Sequence, residues 1–263
     1  VTLPLYTPDE DPGPSFLGLL AKLGLRPSHP AEPVDSALVA HGTTVVAIRY
    51  RDGVLMAGDR RATSGSLISS RSMEKVFPAD YYSGVAISGV AGPAMEMVRL
   101  FQLQLEHYEK VEGVPLSLDG KANQLSVMLR ENLPAAMQGL AVVPIFAGYD
   151  QRAETGRLFQ FDVTGGRYEE GDFATAGSGS LHASTVVKLR RHDDLDGNGV
   201  VDVAVEALFQ AADEDSATGG PDPLRGIYPV LARITAAGFE RLEESEVAER
   251  TDAFLAGLGD SYR

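Results

Sequence analysis

The chain has 263 residues, enough for one large domain with an additional segment. Its apolar fraction of 44% and its 28 glycines are ordinary for an α/β or α+β protein. A net charge of −14 would repel nucleic-acid phosphates, and the absence of cysteine excludes a disulfide framework, a thiolate metal site and a cysteine nucleophile.

Residues 1–14 are rich in proline and acid (Pro4, Pro8, Pro12 and Pro14, with Asp9, Glu10 and Asp11). An apolar stretch over 15–25 follows, and Pro27, Pro30 and Pro33 break the chain again. A secretory signal needs a basic flank before its apolar stretch, and this flank is acidic. The pattern fits a short amphipathic segment between proline-rich linkers, able to dock on a partner or on the body of its own chain. No apolar run approaches the roughly 18–20 residues of a membrane span.

The body, residues 43–263, is of single-domain size. Runs at 44–50 and 54–58 flank Arg51-Asp52-Gly53, a hairpin signal. A third run covers 84–88. After Pro93, Val98, Phe101, Leu105 and Tyr108 recur at helical spacing, and a second helix carries Leu125, Met128, Leu129, Leu133, Ala136 and Met137 on one side, with Pro134 set to bend or end it. Strand-like runs return at 142–147 and 157–162. Two helical patterns follow, one after the glycines at 177–179 and one carrying Val205, Leu208, Phe209 and Ala212. Runs at 227–234 and 239–242 close the body. Strand runs alternating with helix pairs point to an α+β fold, two sheets face to face with helices outside, rather than a doubly wound parallel sheet.

Gly42-Thr43-Thr44 stands between leader and body. If the chain is cut before Thr43, that residue carries a hydroxyl and a free α-amine, a nucleophile and its base in one residue. Taken alone, the triplet equally reads as a β-branched pair opening a strand. Asp59, beside Arg60 and Arg61, reads as a surface ion pair, Lys75 as a solvated cation, Ser178 as a helix cap, and Asp215 to Gly220 as a cap and turn. Asp194-Leu195-Asp196-Gly197-Asn198-Gly199 matches the opening of a calcium loop. Its twelfth position, however, is Val205, so the segment is expected to be an acidic surface turn with Asp202 capping the next helix. The five histidines have no metal-ligand spacing, so no metal or cofactor is expected, and there is no nucleophile elbow, Walker loop or dinucleotide fingerprint.

The motifs GTTVVAIRY, GVLMAGDRRATSG, MEKVF, AISGVAG, GSGS and DSATGG, in that order, give the chain from Gly42 to about residue 245 a resemblance to the β-subunits of 20S proteasomes, which are N-terminal-nucleophile hydrolases. LQLEHYEKVEGVPL and the spelling DSATGG resemble the actinobacterial form. The related bacterial heat-shock-locus protease also begins Thr-Thr but is shorter and lacks such a long leader and the LEHYEK segment. The resemblance implies a four-layer αββα sandwich, residues 1–42 as a removable propeptide and residues 43–263 as the catalytic domain. It also implies assembly into two seven-membered β rings between two seven-membered α rings, a 28-subunit barrel fed by a regulatory ATPase in the cytoplasm, with protein substrates and neither nucleic acid nor membrane as a partner.

The resemblance further assigns roles. Thr43 is the nucleophile, Gly42-Thr43 the cleavage site, Lys75 the cation beside the Thr43 amine, Asp59 its orienting partner, and the Gly89 N–H the oxyanion donor. Ser178, Asp215 and Thr218 support the amine and a water; related enzymes often have serine at the last position. Thr63 and Ala91 align the substrate as an added strand, and Ala62, Met73, Ile87 and Met95 form an uncharged pocket implying cleavage after large apolar residues. Rival readings are an amidase of the same superfamily acting on a small amide, a ring-building subunit without activity, and a calcium-binding module at 194–206.

Overall fold

A computed structural model of the chain describes residues 13–25 and 42–261. Two five-stranded antiparallel sheets lie face to face. The first has the order β10 (Phe173–Gly177), β1 (Thr44–Tyr50), β2 (Gly53–Gly58), β11 (Val230–Thr235) and β12 (Gly238–Arg241). The second runs β5 (Val76–Asp80), β6 (Ser83–Gly89), β7 (Val142–Asp150), β8 (Thr155–Phe161) and β9 (Arg167–Glu170). A small hairpin of β3 (Ala62–Ser64) and β4 (Leu67–Ser70) stands apart from both.

The sheets meet through apolar side chains: Val45, Ala47, Val54 and Met56 from one, Ala86, Ile145, Ala147 and Leu158 from the other. The opposite face of the first sheet (Val46, Ile48, Leu55, Ala57) packs on α4 (Ser180–Arg190), α5 (Gly199–Glu214) and α6 (Glu244–Ser261). The outer face of the second sheet (Val85, Ile87, Phe146, Phe159) is covered by α2 (Ala91–Glu112) and α3 (Leu118–Ala136). The expected αββα layering is therefore present. It explains why β1 and β2 read as continuous apolar runs: both their faces are covered, so alternation is lost.

Most local sequence signals coincide with the elements they specify. The β1–β2 hairpin forms with Tyr50 opposite Gly53, so Arg51 and Asp52 make the turn and Gly53 is the first residue of β2. The glycine is needed there because a Cβ would lie 2.1 Å from the Ile234 carbonyl oxygen on β11. Pro134 sits inside the last turn of α3, two residues from its end. Met137, expected on the packed side, lies beyond that end and is exposed. The expectation for Asp202 also fails: it lies inside the first turn of α5, where the positive end of the helix favours a carboxylate, and Arg250 of α6 donates to both its oxygens.

The leader segment docks on the body of its own chain. Ser15 caps α1 (Phe16–Lys22) by accepting from the Gly18 N–H. Leu17 is buried in the α2–α3 core, and Phe16 packs on His107 with ring centroids 5.7 Å apart. The buried Gln104 side chain clamps it: its oxygen accepts from the Leu17 N–H and its amide donates to the Pro14 carbonyl. Residues 1–12 and 26–41, the rest of the expected propeptide, lie outside the described residues.

Candidate active site

The site forms where the ends of the two sheets meet. On the first sheet, β1 pairs with β10 so that Thr44 faces Gly177, and the next residue, Ser178, lies beside Thr43. The Ser178 N–H donates to the Thr43 carbonyl at 2.9 Å. Gly177 has φ +104°, and a Cβ there would stand 1.9 Å from the Thr43 oxygen, so the close approach requires glycine. The β1–β2 register puts Asp59, the residue after β2, next to Thr44. On the second sheet, Lys75 immediately precedes β5 and is tied to β6 by the Ile87 N–H, which donates to its carbonyl.

Asp59 and Lys75 are not on the surface. Both have completely buried side chains and form an ion pair at 2.6 Å. Lys75 spends its three protons on the Asp59 Oδ1, the Arg61 carbonyl at 2.6 Å and the Gly42 carbonyl at 3.2 Å. Asp59 is equally committed: its Oδ1 also accepts from the Thr44 N–H, and its Oδ2 from the N–H groups of Arg61 and Gly219. This network is what makes a buried ion pair tolerable. Burial pulls the Lys75 ammonium down from its ordinary value, and the Asp59 charge opposes that only in part.

The buried Thr43 hydroxyl donates to the Gly42 carbonyl at 2.5 Å, so this hydroxyl and the Lys75 ammonium converge on one carbonyl oxygen. Gly42 itself has φ +98°. Around Thr43 lies a second network. The hydroxyls of Ser178 and Thr218 both donate to Asp215 Oδ2, at 2.5 and 2.6 Å, and the Ala217 N–H donates to Oδ1. Burial pushes the Asp215 carboxyl up, but these hydrogen bonds outweigh it and hold the group below its ordinary value. Asp215 is the C-cap of α5, as its sequence position suggested, whereas Gly179 and not Ser178 is the N-cap of α4. Gly89 ends β6 and shares a cavity of about 380 Å³ with Gly42, Thr43, Ser178, Ser88, Ala141 and Gln160.

The six residues expected to contact substrate lie on the elements flanking this centre. Ala62 and Thr63 are buried on β3; Met73 is half-buried ahead of β5, its N–H donating to the Arg60 carbonyl. Ala91 opens α2. Ile87 and Met95 belong to one apolar cluster under α2, Ile87 fully within it and Met95 at its edge. Sequence reasoning missed three contributors: the Thr44 hydroxyl, which meets Thr218 at 2.6 Å, the Arg61 carbonyl and the Gly219 N–H. Two are backbone groups with no side-chain signature. In the 194–206 segment, Asp196 accepts from the Asn198 and Gly199 N–H groups ahead of α5, the geometry of a surface turn. Among the described residues no helix is long and apolar enough to cross a membrane.

The model of the proteasome subunit family matches residues 39–222. A proteasome subunit beta of Acidimicrobium ferrooxidans is 55% identical over 251 residues, covering 95% of this chain and 92% of the relative. That span is longer than residues 43–263, so the likeness extends into the leader. A proteasome subunit beta of Jonesia denitrificans is 52% identical, covering 92% of this chain and 81% of its own. One of Streptomyces griseus is 56% identical, covering 85% and 80%. A match over most of the chain, on a sandwich with this threonine-centred site, shows that the chain belongs to the proteasome subunit family.

Proposed function

We propose that this chain is the catalytic β-subunit of a 20S proteasome, a threonine endopeptidase with Thr43 as its nucleophile and residues 1–42 as a propeptide removed at the Gly42–Thr43 bond. One observation carries the reading: the Thr43 hydroxyl and a fully buried lysine both contact the carbonyl oxygen of the bond to be cut.

Self-cleavage runs by attack of Thr43 Oγ on the Gly42 carbonyl carbon. The C–N bond breaks, the hydroxyl proton passes to the departing nitrogen, and an ester joins Gly42 to Thr43 Oγ. Water hydrolyses the ester, leaving Gly42 as a carboxylate and Thr43 with a free hydroxyl and amine. Before this step the nitrogen is an amide and cannot act as a base, so the precursor is inactive for a chemical reason. Afterwards the neutral amine, through a water, takes the hydroxyl proton as Oγ attacks a substrate peptide. The Lys75 ammonium disfavours a second positive charge and keeps the amine neutral, Asp59 orients Lys75, and the Gly89 N–H receives the developing oxyanion. Ser178, Asp215 and Thr218 position the amine and its water.

The chain assembles with other proteasome subunits, as its family does. Its place is in the seven-membered β rings of a 28-subunit cytoplasmic barrel served by an ATPase ring, a setting with which a cysteine-free chain is compatible. Thr63 and Ala91 hold the substrate as an added strand, and the uncharged set Ala62, Met73, Ile87 and Met95 favours cleavage after large apolar residues. Intact-mass measurement of the purified particle tests the reading. A chain beginning at Thr43 is expected from the wild type and an uncut leader from Thr43→Ala; normal processing of Thr43→Ala would refute it.

A further inference from the structure

We propose that Thr44 is a positioning residue for the reaction, its hydroxyl fixing Thr218 and its backbone N–H fixing Asp59, so that one residue holds both carboxylates in place around the nucleophile. This rests on the proposed function and adds a residue to it. The Thr44 side chain is completely buried, as is Thr218. Their hydroxyl oxygens lie 2.6 Å apart, and a count of protons fixes the direction of that bond. Thr218 has one hydroxyl proton, and it goes to Asp215 Oδ2 at 2.6 Å. Thr218 can therefore only accept from Thr44, and the Thr44 hydroxyl is the donor.

The same oxygen accepts from the Gly179 N–H at 3.1 Å, tying it to the start of α4, one residue from Ser178. Gly179 admits this contact because a Cβ there would lie 2.5 Å from the Thr44 Oγ1 and 2.8 Å from that of Thr218. The hydrogen bonds thus form one directed chain from Gly179 through Thr44 and Thr218 to Asp215. On its other side, the Thr44 N–H donates to Asp59 Oδ1 at 2.7 Å. A hydroxyl that accepts one bond donates the next more strongly, so Thr44 strengthens the hold of Thr218 on Asp215. Residue 44 needs a hydroxyl for this; valine has the same shape and lacks it.

The test uses assembled, processed particles carrying Thr44→Val, Thr44→Ser, Thr218→Val and the Thr44→Val/Thr218→Val pair. Thr44→Val is expected to lower kcat for a fluorogenic peptide about five- to tenfold, the loss of one buried hydrogen bond, with KM within twofold of wild type. Thr44→Ser should restore kcat to within twofold. The double variant should be no slower than Thr218→Val, since the two hydroxyls act through one bond. An unchanged kcat in Thr44→Val, an equal loss in Thr44→Ser, or additive losses in the pair would each overturn the proposal. If Thr44→Val does not assemble, Thr44→Ser against Thr218→Val still decides: serine must retain activity. Should Thr43→Ala particles cut the peptide, the functional reading itself fails, a result distinct from any of these.

Discussion

Substitution of Gly42 by alanine separates the chemistry of leader removal from that of substrate cleavage. Gly42 has φ +98°, which an L-residue adopts only under strain. A Cβ would stand 2.6 Å from the Thr63 hydroxyl, 2.8 Å from the Ala217 Cβ and 2.9 Å from the Ala217 carbonyl oxygen. The Ala217 backbone cannot give way, because Asp215 holds the Ala217 N–H and accepts from the Thr218 hydroxyl. The left-handed backbone costs about 1–2 kcal/mol and the overpacking about 1–3 kcal/mol. The cheapest relief is rotation of the Gly42 peptide, which moves its carbonyl off Lys75 and Thr43. Together these costs of about 2–5 kcal/mol, taken as lost alignment, slow leader removal roughly 30- to 4,000-fold, at tenfold per 1.4 kcal/mol. The assay is a time course of intact mass during particle maturation. Residue 42 leaves with the leader, so whatever fraction does mature should cleave peptides with wild-type kcat per free Thr43. Leader removal at the wild-type rate would refute the reasoning; so would a mature enzyme with lowered kcat.

Two further outcomes follow from the buried charges. Lys75→Ala leaves Asp59 buried without its cation, which should destabilise the subunit by about 3–5 kcal/mol and leave the leader attached, read by a thermal melt and by intact mass; a matured, undiminished particle would contradict it. The pH profile provides the other. A free Thr43 amine beside the Lys75 ammonium should titrate below the ordinary α-amino range of about 7.7–8.0, and because the proposed mechanism uses the neutral amine, peptide hydrolysis should rise with pH through that lowered value. Asp215 is held below its ordinary 3.8, so it stays ionised over this limb, and the stability it contributes is lost only as pH falls below 3.8 through its lowered folded value. A rate profile with its acid limb at or above pH 8 would mean the lysine does not act on the amine.

Much of the architecture was legible because burial leaves a pattern. Both faces of β1 and β2 are covered, and both read as unbroken apolar runs; α2 and α3 carry their core residues at helical spacing. Elements formed by pairing rather than by their own composition were not legible. β9, Arg167-Tyr168-Glu169-Glu170, is an exposed edge held by its register with β8, and α6 buries too few apolar positions, chiefly Val247 and part of Phe254, to show a stripe. The site divides the same way. Thr43, Asp59 and Lys75 could be singled out as residues with chemistry, but taken singly Asp59 and Lys75 read as surface charges. Their burial is a property of two sheets meeting, which neither segment encodes locally.

That meeting has a mechanistic consequence. Thr43 and Asp59 belong to the first sheet; Lys75 and Gly89 sit at the ends of strands in the second. The hydrogen bond of Lys75 to the Gly42 carbonyl therefore crosses from one sheet to the other, and so does its ion pair with Asp59. In a chain whose sandwich has not closed, Lys75 is solvated and far from the proposed scissile bond, and Thr43 is an ordinary hydroxyl next to an ordinary amide. The same apolar contacts that close the sandwich, Val45 and Met56 against Ala86 and Ile145, bring the cation to the carbonyl. Activation of the proposed nucleophile is thereby linked to completion of the fold: weakening the contact between the sheets should delay leader removal even when every residue of the site is intact.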